Sequence, residues 1–363
     1  MKLFSCQSCR QIVFFESVAC TRCHHALAYL PDRGLVGTIE AEDPSAPISL
    51  ETRWKTLARG PGADRYRLCR NSSEHGVCNW AIPDDEQSDY CRACRLTRII
   101  PNLSAPGAQE AWHRLEIAKR RLLYTLFELE LPVDLKTDER PEGMAFEFLQ
   151  DSDGAPKVFT GHHDGVITIN VAEADDPFRE KMRIQMGETY RTVLGHFRHE
   201  IGHYYWDRLI ADRPILRDFR ALFGDEQVSY TEAQQRHYNA GPPADWVDHF
   251  VSSYASMHPW EDWAETWAHY LHIVDTLETA RAYGLSLKPA PVAARSTGKP
   301  VTASKLDPTS FEDLIDGWIP LTMALNSLNR SLGTTDSYPF VLSKEAIAKL
   351  RFVHDVVARE RGA

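Results

Sequence analysis

The stretch Gly195-His196-Phe197-Arg198-His199-Glu200-Ile201-Gly202-His203-Tyr204-Tyr205-Trp206 decides how the rest of this chain reads. Inside it lies His-Glu-x-x-His, at His199, Glu200 and His203. On an α-helix, residues four apart stand one turn above each other on one face. Two imidazoles so placed can bind one metal ion, with Glu200 beside them to act on a metal-bound water. Tyr190, Val193, Leu194, Phe197, Ile201 and Tyr205 supply an apolar face, so a helix is expected over 188–210.

A catalytic zinc needs a third protein ligand and an open fourth position. The segment from Tyr254 to His272 offers it, because Pro259 forces a helix to begin near Trp260, where acidic residues suit the helix dipole. At 100° per residue, Glu261, Glu265, Ala268 and His272 fall within about 60° of one another. Trp263, Trp267, Tyr270, Val274 and Leu277 cluster on the other side. This helix should therefore bury an aromatic face and present a carboxylate stripe, partly solvated, with Ala264 and Ala268 allowing a second helix close. Metal-bound histidines usually donate their other ring N–H to a carboxylate. If Glu261 is the ligand, Glu265 stands one turn on to accept that bond. Glu261 is the preferred ligand, with Glu265 in support or as the alternative.

The rest of the composition bounds the class. The chain has 363 residues, 43% hydrophobic and 25% charged, as in soluble globular proteins of more than one domain. It lacks an 18-residue apolar run and a secretory leader, which predicts a cytoplasmic protein with no membrane segment. Net charge is -10. Residues 1–100 carry 13 Lys+Arg against 12 Asp+Glu, and the remainder 28 against 39. An acidic body argues against nucleic acid as the ligand. The arginines at 65, 67, 70, 92, 95 and 98 read as a solvated face.

All eight cysteines lie between positions 6 and 94. Cys6-x-x-Cys9 with Cys20-x-x-Cys23 is a four-thiolate zinc pattern, since each pair suits a tight knuckle and two knuckles close a tetrahedron. Cys69, Cys78, Cys91 and Cys94 can form a second such site, with His75 as a spare donor. Both are closed structural sites that would stabilise a core-poor hundred residues. Residues 41–64 read as loop between the two ribbons, with strands at 12–15 and 27–30.

Downstream, helices are expected over 109–131, 231–237, 260–282, 311–330 and 344–361, and strands over 145–149 and 165–170. Residues 288–309, rich in Pro, Ala, Ser and Lys, read as a connecting loop or a lid. His162, His163, His196 and His258 are taken as structural.

His199-Glu-Ile-Gly-His203 followed by a helix bearing Glu261-Asp-Trp-Ala-Glu265 resembles the gluzincin metallopeptidases, whose third ligand is a Glu on a later helix. The toxin-type members place a tyrosine seven residues before that Glu to stabilise the oxyanion, and Tyr254 stands at this offset. With its paired CxxC sites the whole chain resembles a family of bacterial zinc-binding metallopeptidases that carry a zinc-ribbon domain.

The expectation is therefore an α+β protein: a double zinc-ribbon module at 1–100, then a mostly helical gluzincin-like metallopeptidase domain with a small β-sheet at 101–363. It would hold one catalytic and two structural zinc ions and cleave a peptide or protein substrate, with the ribbons free to dock a protein. Two other readings stay open: a ribbon scaffold with a vestigial hydrolase site, and a zinc amidase acting on a non-peptide amide.

Overall fold

The computed structural model describes residues 2–361 apart from 46, 153, 155, 187, 189, 288–309 and 339–341. The segment expected to be a loop or lid, 288–309, lies outside the described residues.

In the cysteine-rich stretch, β1 (Phe4–Ser5) and β2 (Ile12–Val13) form a minimal hairpin around the first CxxC. Five strands then run as one antiparallel meander: β3 (Ala26–Leu30), β4 (Leu35–Ala41), β5 (Trp54–Thr56), β6 (Arg65–Leu68) and β7 (Ala81–Pro83). The two ribbons are thus not separated by a plain loop over 41–64. Trp54 and Thr56 are buried there with Lys55 exposed between them, and that alternation adds β5 to the sheet. Ala28, Leu30, Ile39, Trp54, Tyr66 and Ala81 make its core. Arg65, Arg67, Arg70, Arg95 and Arg98 are each matched to a carboxylate, from Glu42, Asp84, Asp89, Glu86 and Glu147.

A second, four-stranded sheet has the order β10 (Gly161–His163), β11 (Val166–Asn170), β9 (Ala145–Leu149), β8 (Thr97–Ile99), with β11 and β8 parallel to β9. β8 follows the last cysteine directly, so a cut after residue 100 would separate it from β9. By packing, Lys2–Leu126 with Pro132–Arg179 form one compact unit, and the described parts of Phe127–Leu131 with Glu180–Ala363 form the other.

The described helices are α1 (Arg70–Ser73), α2 (Ala108–Glu128), α3 (Asp176–Gln185), α4 (Val193–Leu209), α5 (Leu216–Phe223), α6 (Tyr230–Ala240), α7 (Trp246–His249), α8 (Pro259–Ala282), α9 (Phe311–Ser331) and α10 (Lys344–Arg361). α1, α3, α5 and α7 were not anticipated, each being ten residues or fewer. In the first unit, Phe15, Tyr29, Trp80 and Tyr124 pack edge to face and tilted, at centroid distances of 4.8–5.4 Å, and so dock the ribbon strands on α2. α2 ends where Glu130 turns left-handed at φ 56°. α4 starts at Val193, later than the apolar pattern suggests, because the Thr192 hydroxyl accepts the Gly195 N–H at 2.9 Å and caps the helix there. Tyr190 consequently precedes the helix.

α8 is the centre of the second unit, with α4, α5, α9 and α10 packed on it. Its carboxylate stripe is largely covered, with Glu265 half-buried. Glu261, Asp262, Ala264, Thr266, Ala268, His269 and His272 are all buried along with Trp263, Trp267 and Tyr270. Each buried charge has a partner: Lys349 of α10 meets Asp262 at 2.6 Å, and Arg198 of α4 meets Asp275 at 2.7 Å. Among the described residues no helix is long and apolar enough to cross a membrane.

α4 and α8 are in close contact at Gly202, whose carbonyl accepts the Trp263 indole N–H at 2.8 Å. A Cβ added to Gly202 would lie 3.0 Å from Ala264 Cα and 3.2 Å from Trp267 Cβ. Alanine would gain about 1 kcal/mol of helix propensity and lose about 1–3 kcal/mol to overpacking against backbone. Gly202→Ala is therefore expected to destabilise the protein by up to about 2 kcal/mol in urea titration. A variant more stable than the parent would contradict this packing.

Candidate metal centre

α4 carries its two histidines toward α8 because Gly202 lies between them and lets the helix axes close. His199 Nε2 and His203 Nε2 stand 3.2 Å apart. Glu261 Oε2, from the first turn of α8, lies 3.0 Å from the first and 3.6 Å from the second. A tetrahedral zinc with N and O bonds of about 2.0–2.1 Å separates its ligands by about 3.3–3.4 Å. The three atoms therefore have the spacing and chemistry of a zinc tripod. Glu261 is 2% exposed, and its Oε2 faces the two imidazole nitrogens, a set of three donor atoms that a cation would complete.

Glu265 sits one turn further along α8 and faces the other ring nitrogen. Its Oε1 lies 2.7 Å from His199 Nδ1, and its Oε2 accepts the Ser252 hydroxyl at 2.6 Å. Burial opposes a charge on His199, but its bonds to Glu261 and Glu265 outweigh that and lift its pKa well above the usual imidazole range. Burial would likewise raise Glu261, yet the fields of His203 and His199 and their hydrogen bonds hold it well below the usual carboxylate range. Glu200 is 8% exposed, and burial raises its pKa against the opposing fields of His199 and His203.

Around this cluster, the Trp260 ring lies 3.9 Å from His203 and the Tyr254 ring 6.1 Å from His199. Tyr254 opens a short 3₁₀ turn, Tyr254–Met257, just before α8. Two groups went unanticipated. Ser252 supports Glu265, and the Tyr230 hydroxyl donates to Glu261 Oε1 at 2.8 Å. Ser252 lies in the segment before the 3₁₀ turn and Tyr230 opens α6, and no spacing rule marks either. His258 caps α8, accepting the Trp260 N–H at 3.1 Å, and His162 accepts the Gly165 N–H at 3.0 Å. His196 lies outside the metal cluster.

The cysteines gather into two tetrads, Cys6, Cys9, Cys20, Cys23 and Cys69, Cys78, Cys91, Cys94, all as free thiols. Sulfur pairs stand at 3.5, 3.6 and 3.7 Å. Zinc–sulfur bonds of about 2.3 Å put tetrahedral ligands about 3.8 Å apart, so both tetrads fit zinc. In the first, Arg10 and His24 take left-handed φ of 63° and 61° just after each CxxC, which turns the knuckle. Backbone N–H groups of Cys94, Trp80 and Cys91 donate to sulfurs of the second. His75 is not among its donors, and its ring packs on Trp112 instead.

Loss of the support at His199 Nδ1 has a measurable consequence. Glu265→Gln is expected to weaken zinc binding at the histidine site by about 10–100-fold in chelator competition, with both thiolate ions retained. Unchanged affinity would show that Glu265 does not orient His199.

Comparison with known proteins bears on this arrangement. Residues 108–356 match the family model described as "Putative zinc-binding metallo-peptidase", and residues 3–105 match a zinc-ribbon domain. Uncharacterized proteins of Mycobacterium tuberculosis and Mycobacterium bovis are 43% identical over 358 residues, covering 98% of this chain and 95% of theirs. No solved structure matches. The family match spans α2 to α10 and contains both histidine-bearing α4 and glutamate-bearing α8: the chain belongs to this zinc-binding metallo-peptidase family and carries its zinc ribbons ahead of the peptidase region.

Proposed function

We propose that the chain is a gluzincin-type zinc peptidase in which His199, His203 and Glu261 hold the ion, Glu200 is the general base and Tyr254 the oxyanion donor. The observation that carries this reading is the tripod itself: three donor atoms from two helices, 3.0–3.6 Å apart, beside a buried carboxylate. A zinc ion on those atoms supplies a Lewis acid that polarises the scissile carbonyl and lowers the pKa of water in its open position to about 7.

The protein's own groups do the rest. Glu200, the residue after His199, accepts a proton from the attacking water and returns it to the leaving amine nitrogen. Its burial raises its pKa, which favours a carboxyl able to carry a proton between the two steps. Tyr254 donates its phenol proton toward the developing oxyanion. Glu265 holds His199 by its Nδ1, and Trp260 walls His203. The cysteine tetrads stabilise the first hundred residues and stand apart from the chemistry.

Metal analysis and hydrolysis of a mixed peptide library test this. The parent should hold about three zinc ions per chain, two on thiolates and one on the tripod. His199→Ala should lose one of them, and retention of all three would sink the assignment. Glu200→Gln should keep every ion and lower hydrolysis by about 10²–10⁴-fold. Full activity in that variant would remove Glu200 from the mechanism.

A further inference from the structure

Tyr230 is built into the site more firmly than a packing residue requires. Ser229 caps α6 by accepting the Glu232 N–H, so Tyr230 is the first residue of the helix and its direction is set. Immediately upstream, the Val228 carbonyl lies 3.0 Å from His258 Nε2, and His258 Nδ1 accepts the Trp260 N–H. That pairing puts the ring proton on Nε2 and ties the entry of α6 to the start of α8, one turn from Glu261. The Tyr230 ring stands against His258 at 5.3 Å and Trp260 at 6.3 Å.

The hydroxyl then meets a carboxylate that can only accept. Tyr230 therefore spends its single proton on Glu261 Oε1, at 2.8 Å. That bond leaves Glu261 with one oxygen, Oε2, facing the two imidazole nitrogens.

We propose that Tyr230 is a positioning residue that restricts Glu261 to a single coordinating oxygen. A carboxylate with both oxygens available can swing to take two positions on an ion, filling the place that a substrate carbonyl needs. The hydrogen bond from Tyr230 occupies Oε1 and prevents that swing. This inference rests on the reading of Glu261 as the third ligand.

The test uses the full chain, loaded with zinc and, separately, with cobalt at the tripod. Tyr230→Phe should bind the third zinc about 10–100-fold more weakly in chelator competition. In the cobalt form it should lose visible absorption intensity, as the carboxylate turns to two-oxygen binding and the coordination number rises. Tyr238→Phe, on the same helix, should leave both readouts at parental values, and both variants should keep two thiolate-bound zinc ions. A Tyr230→Phe protein with parental zinc affinity and a parental cobalt spectrum would overturn this inference alone. A parent that takes up only two ions would overturn it together with the proposed function.

Discussion

A carboxylate taken out of water must find a cation or a set of donors, or its burial costs several kcal/mol. Helix α8 imposes that demand repeatedly, because most of it is buried and it carries Glu261, Asp262, Glu265 and Asp275. Each is answered from outside α8. Asp262 takes Lys349 from α10, Asp275 takes Arg198 from α4, and Glu265 takes His199 and Ser252. Glu261 receives one proton donor, Tyr230, and faces two imidazole nitrogens with its other oxygen. The arrangement of the second unit is thus the arrangement that matches these four acids, and the metal tripod is one of the four solutions.

The same demand explains why neighbours that look unrelated to chemistry are tied to the site. Lys349 donates both to Asp262 and to the His249 carbonyl, and its ammonium lies 4.2 Å from the Phe250 ring centre. It anchors the helix that bears Glu261 without approaching the tripod. Truncating such a residue leaves an uncompensated buried acid, a defect of about 3–5 kcal/mol. Changes on α10 would therefore reach the site through fold stability.

Much of this was legible in the chain because helical periodicity is local. The four-residue spacing of His199 and His203 and the Pro259 start of α8 put the ligand-bearing faces within reach of reading. The CxxC pairs likewise carry their geometry in their spacing. What was not legible depends on contacts between distant segments. The carboxylate stripe of α8 was expected to be partly solvated, because amphipathicity does not say how completely a second layer covers the polar side. β5 was missed because three residues, Trp54, Lys55 and Thr56, give too short an alternation to stand out from a loop. Tyr230 and Ser252 belong to no pattern, since each earns its place through a hydrogen bond that only the folded chain supplies.

The three candidate metal sites differ in how much chain must be gathered to close them. Cys6 and Cys23 are 17 positions apart, and the second tetrad joins Cys69 to Cys91 across 22. His199 and Glu265 are separated by 66, and the Lys349 pairing that steadies α8 spans 87 more from Asp262. Closing a long loop costs more entropy than closing a short one, and here it also waits on later chain. During synthesis the cysteine tetrads become complete while α4 and α8 have yet to emerge. Any uptake of metal would thus be ordered along the chain, with the candidate histidine site the last to be completed.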